Sequence, residues 1–179
     1  MGNRKGDWMQ TFTGKKFWPL DPRSDDVDIK DIAHSLALTC RFNGQCNLFY
    51  SVAQHSVFVS RLVTPSQALA ALLHDSTEAY LGDIIRPIKL YLPEFKDIEN
   101  NLEKAIFQHF SIRNYDKKEI VHADNIALYT EMRDVMGEPP EIWKGFKDYL
   151  HLLQKQKIIP LGFKESENLF LERYNELKS

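Results

Sequence analysis

The strongest constraint on this chain lies in its middle. There, Leu72-Leu73-His74-Asp75-Ser76-Thr77-Glu78-Ala79-Tyr80-Leu81-Gly82-Asp83 sets an adjacent histidine and aspartate inside an otherwise apolar helical pattern. Ala68, Leu69, Leu72, Leu73 and Ala79 recur at helical spacing. This predicts one helix from Ser66 to about Leu81, with its apolar stripe facing the interior and Gly82 as its stop. An unpaired carboxylate buried on such a helix is costly, and proteins relieve the cost by pairing the charge or by binding a metal with it. The pattern therefore directs the search to metal ligands elsewhere in the chain.

The chain has 179 residues, 43% hydrophobic and 27% charged, enough for one good core and most simply one domain. A formal net charge of -2 gives no general electrostatic reason to bind long nucleic acid or an anionic membrane. No apolar run approaches the roughly 20 residues of a membrane span, and the polar stretch from Met1 to Asp7 lacks the apolar segment of a signal peptide. Gly2 is followed by Gly6 where myristoylation needs Ser or Thr. Cys40 and Cys46, with five residues between them, fit neither a CxxC redox pair nor a zinc knuckle. They read as reduced, structural thiols of a cytosolic protein.

Residues 1–28 form an arm in which Trp8, Phe12, Phe17 and Trp18 lie between Gly and Pro punctuation. These aromatics need a surface to cover, so an ordered arm with a short hairpin is expected. Ile29, Ile32, Ala33, Leu36 and Leu38 predict a helix ending between Thr39 and Phe42, and Asn43-Gly44 a turn. Ser51 is the expected N-cap of a helix carrying Val52, His55, Val59 and Leu62, closed by Pro65. Two prolines make 83–93 a loop. A helix through Ile98, Leu102, Ala105 and Ile106 follows, then one opened by Asp116 and Glu119 in a capping-box arrangement and ended by Gly137. Pro140 should open a helix with Trp143, Phe146, Leu150 and Leu153, and a last helix carries Leu169, Phe170, Tyr174 and Leu177. The expected fold is all-α, a bundle of six or seven helices with an aromatic-rich arm over 1–28, a core over 29–136 and C-terminal helices over 137–179.

Four polar residues fall where these helical patterns call for the interior or its edge: His55, His74, Asp75 and Asp124. Two imidazoles and two carboxylates from three helices suit a divalent cation, with room left for water or a phosphate oxygen. Glu78 lies one turn after His74 on the same side, and Asp83 stands just past the helix end, so the pair can divide proton work between them. His122, two residues before Asp124, points elsewhere.

These residues resemble the HD-domain metal-dependent phosphohydrolases. The likeness is carried by Ser51-Val52-Ala53-Gln54-His55-Ser56, the pair His74-Asp75 and the distal aspartate of His122-Ala123-Asp124-Asn125. Within that group the run from His74 to Asp83, followed by Arg86-Pro87-Ile88-Lys89, is most similar to short bacterial 5′-deoxynucleotidases and phage or prophage deoxynucleotide phosphohydrolases; the likeness spans about 31–136. The resemblance implies His55, His74, Asp75 and Asp124 as metal ligands and Glu78 and Asp83 as catalytic residues. It also implies a substrate-binding Arg-Trp pair, for which this chain has Arg41-Phe42; the arginine suits bidentate phosphate binding and the phenylalanine packing on sugar or base. Lys89 is a second phosphate candidate, and His34 and Trp18 are candidate pocket residues.

The implied activity is metal-dependent hydrolysis of a 2′-deoxynucleotide in the cytoplasm of a bacterial cell or phage-infected host. The products are phosphate from a 5′-monophosphate, or nucleoside and tripolyphosphate from a triphosphate such as dATP. Hydrolysis of a cyclic or signalling nucleotide, or metal and nucleotide binding without turnover, are the alternatives. Ligand softness favours Mn, Co, Fe, Ni or Zn over Mg. The resemblance and the apolar C-terminal helices imply a homo-oligomer.

Overall fold

Nine α-helices and one two-stranded sheet make up the described part of the chain, residues 4–178 of the computed structural model. The all-α expectation holds. The sheet is the hairpin of the arm: β1 (Met9–Gln10) pairs antiparallel with β2 (Lys16–Phe17), Met9 opposite Phe17 and Gln10 opposite Lys16. Asp31, buried on the first helix, accepts from the Thr13 amide at 2.7 Å and its hydroxyl at 3.0 Å, so the hairpin is fastened to the body. Phe17, with no exposed surface, stacks on Tyr80 at 4.0 Å between ring centres.

Helix α1 (Ile29–Leu38) begins at Asp28, whose side chain accepts from the Lys30 amide, and α2 (Val52–Ser60) begins at Ser51, which accepts from the Gln54 amide. Short side-chain oxygens at these positions satisfy amides that have no partner in the first turn. The single helix expected from Ser66 to Leu81 is two: α3 (Ala68–Leu72) and α4 (Glu78–Leu81). Between them the backbone tightens to bonds three residues apart, Ser76 to Leu73, Glu78 to Asp75 and Ala79 to Ser76, while the Ser76 hydroxyl takes the Leu73 carbonyl at 2.6 Å. A serine competing for a helical carbonyl favours such a break. The proline-rich loop holds one helical turn, α5 (Arg86–Lys89).

Helices α6 (Pro93–His109) and α7 (Lys117–Val135) are the longest. Asp116 caps α7 as expected, accepting from the Lys118 and Glu119 amides, but Glu119 does not close the box. Its carboxylate reaches across to the Thr64 amide at 2.6 Å, and the Asp116 amide is bound by Gln67. Pro140 does not open a helix. Helix α8 is one turn (Phe146–Tyr149), continued by a 3-10 turn over Leu150–Leu152, because Gly145 ahead of it is left-handed at φ 87 and lies against Tyr129, where a Cβ would come within 2.6 Å of the hydroxyl. The chain then runs without helix to α9 (Phe163–Lys178), its 158–161 stretch held by Asp134 at the Ile158 amide and by the Gln54 side chain at Ile159 and Leu161.

Helix α9 packs on α1, α2 and α3, and α2 crosses α7, so α2 is enclosed. One hydrophobic cluster joins Phe17 and Val27, the inner faces of α1, α2, α3, α6 and α7, and Phe170 and Tyr174 of α9. Among the described residues no helix is long and apolar enough to cross a membrane. Replacing Phe17 by Ala removes a fully buried ring and is expected to lower the unfolding free energy by about 3–5 kcal/mol, read from the urea midpoint.

Candidate metal centre

The break between α3 and α4 places the central pair. Adjacent residues of a regular α-helix point about 100° apart, whereas here His74 Nε2 and Asp75 Oδ2 sit 3.2 Å from each other. His55 arrives from α2 and Asp124 from α7. His55 Nε2 lies 3.2 Å from Asp124 Oδ1, 3.4 Å from Asp75 Oδ2 and 3.4 Å from His74 Nε2, and His74 Nε2 lies 3.9 Å from Asp124 Oδ1. The other three predicted ligands thus each place an atom within 3.4 Å of His55 Nε2.

Their spacing and chemistry fit a cation. Ligands about 2.1 Å from a metal at tetrahedral or octahedral angles are separated by about 3.0–3.4 Å, and most of these separations fall in or near that range. His55, His74 and Asp124 meet the geometry of a cation site as a trio; Asp75 lies beside it, 3.2 Å from His74 Nε2 and 3.4 Å from His55 Nε2, but outside that trio. Both rings turn the same nitrogen to the centre because the other is engaged: His55 Nδ1 with Glu131 at 2.6 Å and His74 Nδ1 with the Ala71 carbonyl at 2.7 Å.

Charge points the same way. Asp75, Asp124 and the fully buried Glu131 face a single guanidinium, Arg41, whose Nε is 3.1 Å from Glu131 and whose terminal nitrogen is 3.7 Å from Asp75. Were both imidazoles neutral, as metal ligands are, the carboxylates would be left in excess and a divalent cation would offset them. Burial and Arg41 press His55 toward the neutral ring, but Glu131, Asp124 and Asp75 outweigh them and raise its pKa well above the ordinary value. Burial would raise Asp75 as well, yet the two histidines hold it well below the usual carboxylate range.

Glu78 and Asp83 flank α4. Burial, then Asp75 and Asp83, drive the Glu78 pKa well upward, and one of its buried oxygens has no hydrogen-bond partner. Burial also raises Asp83, with Asp75 adding to it and Arg41 and Lys89 opposing. The site opens on the Asp124 side, where that side chain is 38% exposed while His55 is fully enclosed. A cleft of about 310 Å³ starts at His74, Asp75 and Asp124 and runs between α6 and α7 past Lys89, Asn100 and Tyr115.

The remaining predicted residues divide. Lys89 lines the cleft and is ion-paired to Glu99. Arg41 is engaged by Glu131 and Asp75, and Phe42 sits under its guanidinium with an edge contact to Trp143. His34 and Trp18 do not line the cleft: His34 is stacked on Phe12 of the arm and bonded to Glu167, while Trp18 is covered by Arg4 within the arm itself. His122 is exposed beside Tyr149, away from the cluster. Neither thiol is in a disulfide, and burial together with Cys40 pushes Cys46 up to about 11. Sequence reasoning missed Glu131, although its position two helical turns after Asp124, on the inner face with Ala127, marks it as a buried charge.

Fold and site together define an all-α protein with a partly buried cluster of two histidines and two aspartates at the mouth of a cleft. The uncharacterised protein YfdR of Escherichia coli K12 is 37% identical over 170 residues, 95% of each chain. An uncharacterised protein of Rhodobacter capsulatus is 33% identical over 147 residues, 74% of this chain and 75% of its own. No family model matches the chain. By this identity and coverage the chain belongs to the family of YfdR-like proteins.

A ligand that binds only the folded state stabilises it by mass action, by about 2.7 kcal/mol at one hundred times its Kd. Mn²⁺ in that excess is expected to raise the Tm of the wild-type chain, and Asp124→Asn to abolish the rise, as measured by calorimetry.

Proposed function

We propose that this protein is a divalent-metal-dependent phosphohydrolase of 2′-deoxynucleotides, working in the cytoplasm. The observation that carries the reading is the convergence of His55, His74, Asp75 and Asp124, from three parts of the chain, beside two acids with raised pKa values. Burial and like charge shift acids in this way where proton transfer is needed, and a pure binding module has no use for the pair. The cleft supports the substrate class. It offers Lys89, Lys96 and Lys117 for phosphate, and the Phe107 and Tyr115 rings with Asn100 for a nucleoside.

His55, His74, Asp75 and Asp124 would hold the cation, which would supply Lewis-acid activation of water and of a phosphoryl oxygen. Glu78, in its ionised form, takes a proton from the attacking water. The water oxygen bonds to phosphorus as the bond from phosphorus to O5′ breaks, and Asp83, in its protonated form, delivers a proton to the departing oxygen. Lys89 offsets charge on the phosphoryl oxygens from the cleft wall, while Arg41, turned inward, balances Asp75 and Glu131. With a 5′-monophosphate this chemistry yields nucleoside and orthophosphate. At the α-phosphorus of a triphosphate it yields nucleoside and tripolyphosphate.

Incubation with a panel of deoxynucleoside mono- and triphosphates and Mn²⁺, Co²⁺ or Mg²⁺, followed by chromatography, is expected to show nucleoside with one of those two partners. Glu78→Gln is expected to lower kcat by about 10²–10⁴-fold while metal binding persists. Turnover unchanged in Glu78→Gln removes the chemistry assigned to that residue; nucleotide binding without any turnover in the wild type makes the protein a sensor instead.

A further inference from the structure

Glu131 is the most enclosed carboxylate near the cluster, with no exposed surface, yet it touches neither the cleft nor the position of the cation. Its two oxygens take up groups from three separate parts of the chain. Oε1 is 2.6 Å from His55 Nδ1 and accepts from the Tyr50 hydroxyl at 2.9 Å; Oε2 pairs with Arg41 Nε at 3.1 Å. A residue needed only to fill this space would be apolar, since a buried ion pair is no more stabilising than well-packed hydrophobic groups.

We propose that Glu131 is the positioning residue of the metal centre, fixing the His55 ring with Nε2 turned to the cation and, through its second oxygen, holding Arg41 beside Asp75. The inference rests on the metal-centre reading above. A ligand histidine has two nitrogens, and the one bound to a proton acceptor sets which lone pair is left to the metal. His74 meets this need with a backbone carbonyl. His55 meets it with a charged group, and that group lies two turns after Asp124 on the same helix, so α7 carries one ligand and the orienter of another as a rigid unit. One carboxylate thus serves both groups, with Oε1 hydrogen-bonded to His55 and Oε2 ion-paired with Arg41.

The test uses long-range ¹H–¹⁵N NMR of the imidazoles together with Co²⁺ titration followed by visible absorption, on the full chain. With diamagnetic Zn²⁺ added, the wild type is expected to show the His55 Nδ1 proton far downfield, as a short bond to a carboxylate requires, and no proton on Nε2. Glu131→Gln should lose that downfield signal and bind Co²⁺ about 10–100-fold more weakly, with its helical circular dichroism retained. Tyr50→Phe keeps the buried charge pair and should shift the same proton, because Oε1 then has one donor instead of two. Unchanged Co²⁺ affinity and an unchanged His55 tautomer in Glu131→Gln overturn the assignment. Where Glu131→Gln fails to fold, a proton signal unmoved by Tyr50→Phe overturns it equally. A wild type that takes up no Co²⁺ but whose His55 tautomer depends on Glu131 defeats the metal-centre reading and leaves the orientation of His55 by Glu131 standing.

Discussion

The molecule is built around a concentration of negative charge that reaches from the foot of an open cleft into the enclosed interior. Asp75, Glu131 and the inner side of Asp124 meet at the crossing of α2 with α7, and only Arg41 and two imidazoles stand against them. Carboxylates brought together in a low-dielectric interior repel strongly, so each must be held where a partner can reach it. That requirement explains why the surrounding packing is so complete. Helix α2, which brings His55, is covered by α1, α3, α7 and α9, and its inner residues Val52, Ala53, Val57 and Val59 are almost wholly enclosed.

Two interruptions of regular structure do the fine placement. Between α3 and α4 the chain departs from α-helical winding so that neighbouring His74 and Asp75 aim at one point. Before α2, Phe42 and Asn43 both have positive φ, 55 and 52, an arrangement unfavourable for residues with a Cβ. The surroundings hold it in place: Cys40 bridges to Ser51, the Arg41 amide donates to the Tyr50 carbonyl, and Cys46 Sγ donates to the Arg41 carbonyl. The strained turn delivers Arg41 inward to Glu131 and leaves Phe42 against Trp143.

The helical pattern was legible wherever an apolar stripe met a short polar cap. Ile29–Leu38 begins and ends where its spacing predicts, and Ser51 and Asp116 cap their helices as side chains of that length should. The four-residue cluster was legible for the same reason, because charge on an apolar stripe is visible without coordinates. The break at Leu73 was not. The apolar spacing of Ala68 to Ala79 is satisfied nearly as well by tighter turns, and the deciding bond, from the Ser76 hydroxyl to the Leu73 carbonyl, is local competition that periodicity does not register. The region after Pro140 failed for a different reason. A glycine seated against Tyr129 and a non-helical stretch gripped by Gln54 are long-range effects, and they override the propensity of Trp143 to Leu153.

The hairpin of the arm has a bearing on the boundaries of the working unit. Phe17 is stacked on Tyr80, in the same short helix as Glu78, while Ser35 of α1 holds the Ala79 carbonyl of that helix from the opposite side. A helix of a single turn has little stability of its own, so α4 takes its place from these two neighbours. A shortened version that starts at Ile29, however complete its helices and its ligand set, would leave Glu78 on an element that has lost one of these two holds.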